Sequence, residues 1–191
     1  YGRLWFGTMD DEEVQASGSV YCLDRGVLHQ INCRPAIVTN GPALSADASI
    51  MYVVDSTGGR IFRYSVSDDL SVRDEEVFVQ IGVEEGFPDG FTLDSEDCLW
   101  VALWDGWAVR RYAPNGKMLT HIDMPCARVT KVAFGGADLC TAFVTTARVG
   151  LTSSELAAQP QAGGLFAFDA PVPGRQPFVE QGHDHGDRGH R

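Results

Sequence analysis

The feature that most constrains this chain is a pair of short strand-like runs that recurs four times. Leu4-Trp5-Phe6-Gly7 is followed by Val20-Tyr21-Cys22-Leu23-Asp24, and Ile50-Met51-Tyr52-Val53-Val54 by Ile61-Phe62-Arg63-Tyr64. Leu99-Trp100-Val101-Ala102-Leu103 precedes Val109-Arg110-Arg111-Tyr112, and Leu139 to Val144 precedes Leu165-Phe166-Ala167-Phe168-Asp169. Branched and aromatic residues of this kind suit a pleated, half-buried surface. The pairs start 46, 49 and 40 residues apart (4 to 50, 50 to 99, 99 to 139), the size of a four-stranded propeller blade. Gly- or Asp-bearing turns precede the first run of each pair, as at Ala46-Asp47-Ala48-Ser49 and Asp94-Ser95-Glu96-Asp97. Further strands are expected at Val27–Ile31, Val77–Gln80 and Leu119–Ile122.

No apolar period of 3.6 residues lasts long enough for a substantial helix. One helical turn is expected at Glu155-Leu156-Ala157-Ala158, capped by Ser153 or Ser154 and stopped by Pro160. The reading is therefore all-β, a propeller of which about four blades are present. Propellers close rings of four to eight blades, so four units are either a small ring or the later part of a larger one.

Composition narrows the function classes. A net charge of -11 repels a phosphate backbone, which argues against nucleic acid as a partner. No apolar stretch approaches the roughly 18 residues of a membrane span, so no membrane partner is expected. The five cysteines (Cys22, Cys33, Cys98, Cys126, Cys140) are odd in number and lack CxxC spacing, which reads as reduced thiols and a cytoplasmic protein. The polar stretch Gly182 to Arg191 reads as a disordered tail, and its His183, His185 and His190 as histidines without a structural site.

Two dipeptides share a phase in the repeat. Asn40-Gly41 lies ten residues before Ile50, and Asp89-Gly90 ten before Leu99. Each is a common turn sequence. In a repeat protein, however, equivalent positions of neighbouring units converge, and a neutral oxygen beside a carboxylate suits a hard divalent cation. Ten residues before Leu139 stands Val129, followed by Thr130 and Lys131, so that unit offers no carboxylate. Ten before Leu4 falls ahead of Tyr1. The acidic cluster Asp10-Asp11-Glu12-Glu13 reads as a loop, and Trp104 and Trp107 flank a hairpin turn at Asp105-Gly106. No GxSxG, P-loop or HExxH motif is present.

At these residues the sequence resembles the SMP-30/gluconolactonase/regucalcin-like family. The resemblance is carried by Gly2-Arg3-Leu4-Trp5-Phe6-Gly7-Thr8-Met9-Asp10, Thr39-Asn40-Gly41-Pro42-Ala43-Leu44-Ser45 and Phe87-Pro88-Asp89-Gly90. It continues through Cys98 to Trp104, Ala133 to Asp138 and Val144 to Arg148, so it covers residues 1 to about 182. The resemblance implies a six-bladed propeller with one divalent ion, calcium, zinc, manganese or magnesium, near its axis. It further implies that Asn40 and Asp89 are metal ligands, that Asp89 is the general base, and that Glu12 contacts a sugar hydroxyl.

The family's third protein ligand, a glutamate nearer the N-terminus, has no match here, and neither does its Arg-x-Asn-Asp-Gly-like segment. Residues 1–182 are thus expected to form the C-terminal two-thirds of the family's propeller, with 183–191 as tail. The implied activity is metal-dependent opening of a sugar-acid lactone. The alternatives are a calcium-binding regulatory propeller, or an inactive fragment that completes its ring by self-association.

Overall fold

A computed structural model describes residues 2–176. The tail residues from Gly182 onward, with His183, His185 and His190, lie outside the described residues. Fourteen strands form four antiparallel sheets in chain order. The first holds β1 (Arg3–Gly7), β2 (Gly18–Asp24) and β3 (Val27–Ala36). The second holds β4 (Thr39–Leu44), β5 (Ile50–Asp55), β6 (Arg60–Val66) and β7 (Val72–Gln80). The third holds β8 (Phe87–Leu93), β9 (Leu99–Trp104), β10 (Ala108–Tyr112) and β11 (Met118–Asp123). The fourth holds β12 (Val129–Gly135), β13 (Thr141–Thr146) and β14 (Leu165–Asp169). Among the described residues no helix is long and apolar enough to cross a membrane.

The apolar runs are continuous because their strands are buried on both faces. Side chains alternate along a strand, so one run serves two interfaces. In β5, Met51 and Val53 pack with Val20, Cys22 and Ile31 of the first sheet. Its Tyr52 and Val54 turn the other way, onto Phe91, Leu93 and Leu103 of the third sheet. β9 repeats the arrangement: Leu99, Val101 and Leu103 face the second sheet, while Trp100 and Ala102 face Val129, Val132, Ala142 and Val144 of the fourth. Cohesion therefore runs from sheet to sheet, face against face.

Strands β4, β8 and β12 lie side by side as the first strand of their sheets. This overturns the expectation that Asn40-Gly41 and Asp89-Gly90 are turns. Both dipeptides lie inside a strand, at a shift of register between Asn40 and Ala43 and between Pro88 and Phe91. The reason is tertiary. Gly41 has φ +91°, and a Cβ on it would stand 2.4 Å from Phe91 Cζ of the neighbouring strand. A Cβ on Gly90 would stand 2.4 Å from Lys131 Cδ and 2.6 Å from the Thr130 carbonyl oxygen. The glycines let adjacent first strands approach; they do not reverse the chain.

Other boundaries moved less. The strand expected at Val27–Ile31 extends to Ala36, and the one expected at Val77–Gln80 begins at Val72. The helix α1 (Ser153–Ala158) sits between β13 and β14 as expected, but its cap is Thr152. Thr152 Oγ1 accepts from Glu155 N, and the Glu155 carboxylate accepts from Thr152 N at 2.7 Å, a reciprocal box that neither Ser153 nor Ser154 could form.

At the far end of β8 from Asp89, the fully buried Asp94 carboxylate accepts four hydrogen bonds. They come from Glu96 N, Cys98 N, Trp100 Nε1 and Arg111 Nε, at 2.8 to 3.0 Å. The segment after β14 returns to this end. Gly174 bridges Asp94, and Arg175 donates to the Leu44 and Asp94 carbonyls while pairing with Asp97.

The packing role of the strand glycines has a direct check. Gly41→Ala should cost about 2–4 kcal/mol, from backbone strain plus the clash with Phe91. Gly26 also has a positive φ, +83°, but has open space around it. Gly26→Ala should therefore cost only about 1 kcal/mol. Equal losses for the two variants in urea unfolding would sink the account.

Candidate metal and catalytic site

A bulge bends its strand and re-aims the side chains beside it. The paired shifts in β4 and β8 carry Asn40 and Asp89, which come together in space. Asn40 Nδ2 donates to Ser56 Oγ at 2.9 Å, and among the described residues Asn40 Oδ1 accepts no hydrogen bond. The Asn40 amide also stands near enough to Asp89 to favour its ionised form.

Asp89 is half-buried, and burial pushes its carboxyl up to about 6. The Asn40 amide, the Gly90 N–H and the Lys131 ammonium pull the other way, while Glu13 adds a smaller upward push. A carboxylate titrating there is suited to proton transfer near neutrality. Its free acceptor capacity contrasts with Asp94, just past the far end of β8, where four donors saturate the oxygens.

Asp89 opens into a cavity of about 390 Å³. Met9, Phe87, Pro88 and Trp104 give it apolar walls, and Glu13, Ser56 and Asp89 its polar points. Trp104 is fixed from behind by Arg128, whose guanidinium lies 4.9 Å from the ring and pairs with Asp105 at 3.1 Å. Trp107, across the hairpin turn, is exposed and takes no part in the cavity.

Glu12 is exposed and does not line the cavity; its neighbour Glu13 does. The loop conformation places them differently. Asp10 accepts from Val14 N at 2.8 Å and Gln15 N at 2.9 Å, closing the loop, and Glu13 takes a left-handed φ of +54°. A run of four acids carries no signal for this choice. Trp104, which the sequence offered with Trp107 as a possible pocket wall, does line the cavity, whereas Ser56 and Lys131 are site residues that sequence reasoning did not single out. Lys131 occupies the equivalent shift in β12 and donates from Nζ to the Phe91 carbonyl at 2.8 Å.

The donor set of an amide oxygen and a carboxylate fits a hard divalent cation in kind. Among the described residues no group of three or more His, Cys, Asp or Glu gathers as a metal cluster. The cysteines add nothing to such a set. All five are free, Cys22, Cys98 and Cys126 are buried, and burial pushes the Cys33 thiol up to about 12.

A family profile described as SMP-30/Gluconolactonase/LRE-like region matches residues 1–148. The chain belongs to this gluconolactonase family. A putative sugar lactone lactonase, YvrE, from Bacillus subtilis is 37% identical over 93% of this chain and 61% of its own length. A 6-deoxy-6-sulfogluconolactonase from Pseudomonas putida is 33% identical over 91% of this chain and 60% of its own. The solved structure of a calcium-binding protein, regucalcin, from Agrobacterium tumefaciens superposes with a TM-score of 0.85. It is 31% identical, over 91% of this chain and 59% of that one. The chain thus spans about three-fifths of the length of these relatives.

The raised Asp89 carboxyl makes a prediction for the metal-free chain. Between its ordinary value near 3.8 and about 6, the folded state binds more proton than the unfolded one. Stability from this group therefore falls as pH rises through that window, by about 1–3 kcal/mol in all. Asp89→Asn should remove this loss when unfolding at pH 4 and pH 7 is compared; an unchanged difference would refute the assignment.

Proposed function

We propose that this chain carries the reactive part of a divalent-metal-dependent lactonase that opens sugar-acid lactones. The observation that carries the reading is the meeting of Asn40 and Asp89, from equivalent bulges of adjacent strands, at the mouth of a cavity with apolar walls. Asn40, through its amide oxygen, and Asp89, through its carboxylate, are the residues that would hold the ion. The ion, calcium, magnesium, manganese or zinc, supplies Lewis-acid polarisation of the lactone carbonyl.

The chain's own residues account for the remaining chemistry. Asp89 accepts a proton from the attacking water, whose oxygen bonds to the carbonyl carbon. The ring C–O bond to the carbonyl carbon breaks, and the ring oxygen takes up the proton held on Asp89 and leaves as the hydroxyl of the open acid. The apolar faces of Phe87, Pro88 and Trp104 lie against the C–H surface of the sugar ring and limit competing water. Of the two adjacent acids, Glu13 faces the cavity and accepts from a sugar hydroxyl, while Glu12 stays in the loop. Completion of the metal shell and of a six-bladed ring belongs to the same proposal, since the relatives are longer than this chain.

The test is hydrolysis of a panel of neutral aldonolactones with and without each of the four ions. Turnover is expected to need a divalent ion. Asp89→Ala should lower kcat by at least about a hundredfold, as loss of a general base does, and near-normal turnover would overturn the mechanism. Asn40→Ala should raise the metal concentration needed for half-maximal rate. Glu13→Gln should raise KM more than Glu12→Gln; the reverse order would return the hydroxyl contact to Glu12. Tight calcium binding with no hydrolysis of any lactone would favour a regulatory calcium-binding role.

A further inference from the structure

Asn40 differs from Asp89 in having two unlike ends. A carboxylate offers a cation the same kind of oxygen whichever way it turns, whereas an amide turned over presents N–H donors, which repel it. An amide that is to serve as a ligand therefore needs an acceptor that holds its nitrogen and leaves its oxygen free. In this chain that acceptor is Ser56 Oγ, which takes a hydrogen bond from Asn40 Nδ2 at 2.9 Å.

Ser56 is only 8% exposed, yet it lines the cavity. It directly follows β5, and its backbone N–H donates to the Val38 carbonyl at 3.1 Å. The ladder between β4 and β5 thus runs one residue past the pairing of Thr39 with Asp55. The turn beyond is tied without help from Asn40. Asp55 accepts from Gly58 N at 3.0 Å, Arg60 Nη2 at 3.1 Å and Thr57 Oγ1 at 3.3 Å, and Gly59 N donates to the Ser56 carbonyl at 3.1 Å. The Ser56 hydroxyl is therefore placed by the backbone, while the neighbouring hydroxyl of Thr57 is turned to Asp55 instead. The repeat supplies a contrast. Ser56 stands six residues after Ile50, and Asp105 six after Leu99. Asp105 pairs with Arg128 at 3.1 Å, so the position that serves the amide ligand in one unit is engaged elsewhere in the unit of the carboxylate ligand.

We propose that Ser56 is the positioning residue that holds the Asn40 amide by its nitrogen and so keeps its oxygen available to a divalent ion; the ion's part in this rests on the metal-lactonase reading above. Ser56 acts through Asn40. A serine that merely closed the turn after β5 would leave the amide free to turn over.

Two measurements on the full chain separate these roles. The first needs no metal and follows the side-chain amide signal of Asn40 in proton–nitrogen correlation spectra, identified by its loss in Asn40→Asp. Ser56→Ala should speed the solvent exchange of these amide hydrogens by about threefold or more, the effect of losing one hydrogen bond. An unchanged rate would overturn the holding role.

The second measurement titrates Mn²⁺, followed by the electron paramagnetic resonance signal of the free ion, and Ca²⁺, followed by calorimetry, through a double-mutant cycle of Ser56→Ala and Asn40→Asp. Ser56→Ala alone should weaken binding of both ions by about tenfold or more, as loss of a ligand's supporting partner does. In the Asn40→Asp background the two ends are alike, so the same change should not weaken binding. Equal weakening in both backgrounds would make Ser56 a turn-closing residue and overturn the proposal, and so would no weakening in either. Binding of neither ion by any form would remove the metal reading and the ion's part of the proposal together, while the exchange measurement would still decide whether Ser56 holds the amide.

Discussion

The structure depends on two strands being buried on both faces. β5 and β9 have no solvent side: successive residues feed alternate interfaces, so each strand joins its sheet to the sheet before it and to the sheet after it. Such a strand contributes twice the contact of a half-buried one, at about 1.5–3 kcal/mol for each large apolar side chain. The sheets must then pack face to face at a nearly fixed spacing. That spacing brings β4, β8 and β12 into close contact, and glycine at residues 41 and 90 is what lets them approach without a clash. The candidate site is a by-product of this solution. The bulges that accommodate the approach also turn Asn40 and Asp89 toward one another.

Much of this was legible in the sequence. The apolar runs identify β5 and β9, and their spacing identifies the blade period, because twofold burial leaves no polar alternation to blur the signal. The shared phase of Asn40 and Asp89 was also legible, since equivalence in a repeat survives without knowledge of the strand. Their strand was not. Asn-Gly and Pro-Asp-Gly are turn sequences by every local rule, and the packing of Phe91 and Lys131 against them is invisible until the sheets are assembled. The different placement of Glu13 and Glu12 beside the cavity goes with one left-handed backbone angle, and the choice of Thr152 over its serine neighbours rests on a reciprocal pair of hydrogen bonds. Such choices are made in three dimensions and leave no trace in composition.

Asp89, inside β8, and Asp94, just past its end, are two carboxylates with opposite fates. Asp94 has more protein exposure removed from it, yet its four donors make it a structural anchor with nothing left to offer a ligand. Asp89 is less enclosed but poorly supplied with donors, so its burial is felt as a raised proton affinity. Burial by itself therefore does not mark a reactive acid. The supply of donors decides, and a shortage of them, relieved in part by a nearby amide, the Gly90 N–H and a neighbouring ammonium, is what makes Asp89 receptive to a cation or a proton.

The clasp made by Arg175 carries a consequence for how the molecule is assembled in time. Its guanidinium joins the Leu44 carbonyl, 131 residues earlier in the chain, to the Asp94 carbonyl and the Asp97 carboxylate. During synthesis the second and third sheets emerge well before residue 175 does. Their lower ends must stay soluble and correctly spaced while the fourth sheet is still being made. The clasp arrives as a final fastening, so ribosomal order leaves the two-faced strands to hold the early sheets together and gives the arginine the task of locking an arrangement that already exists.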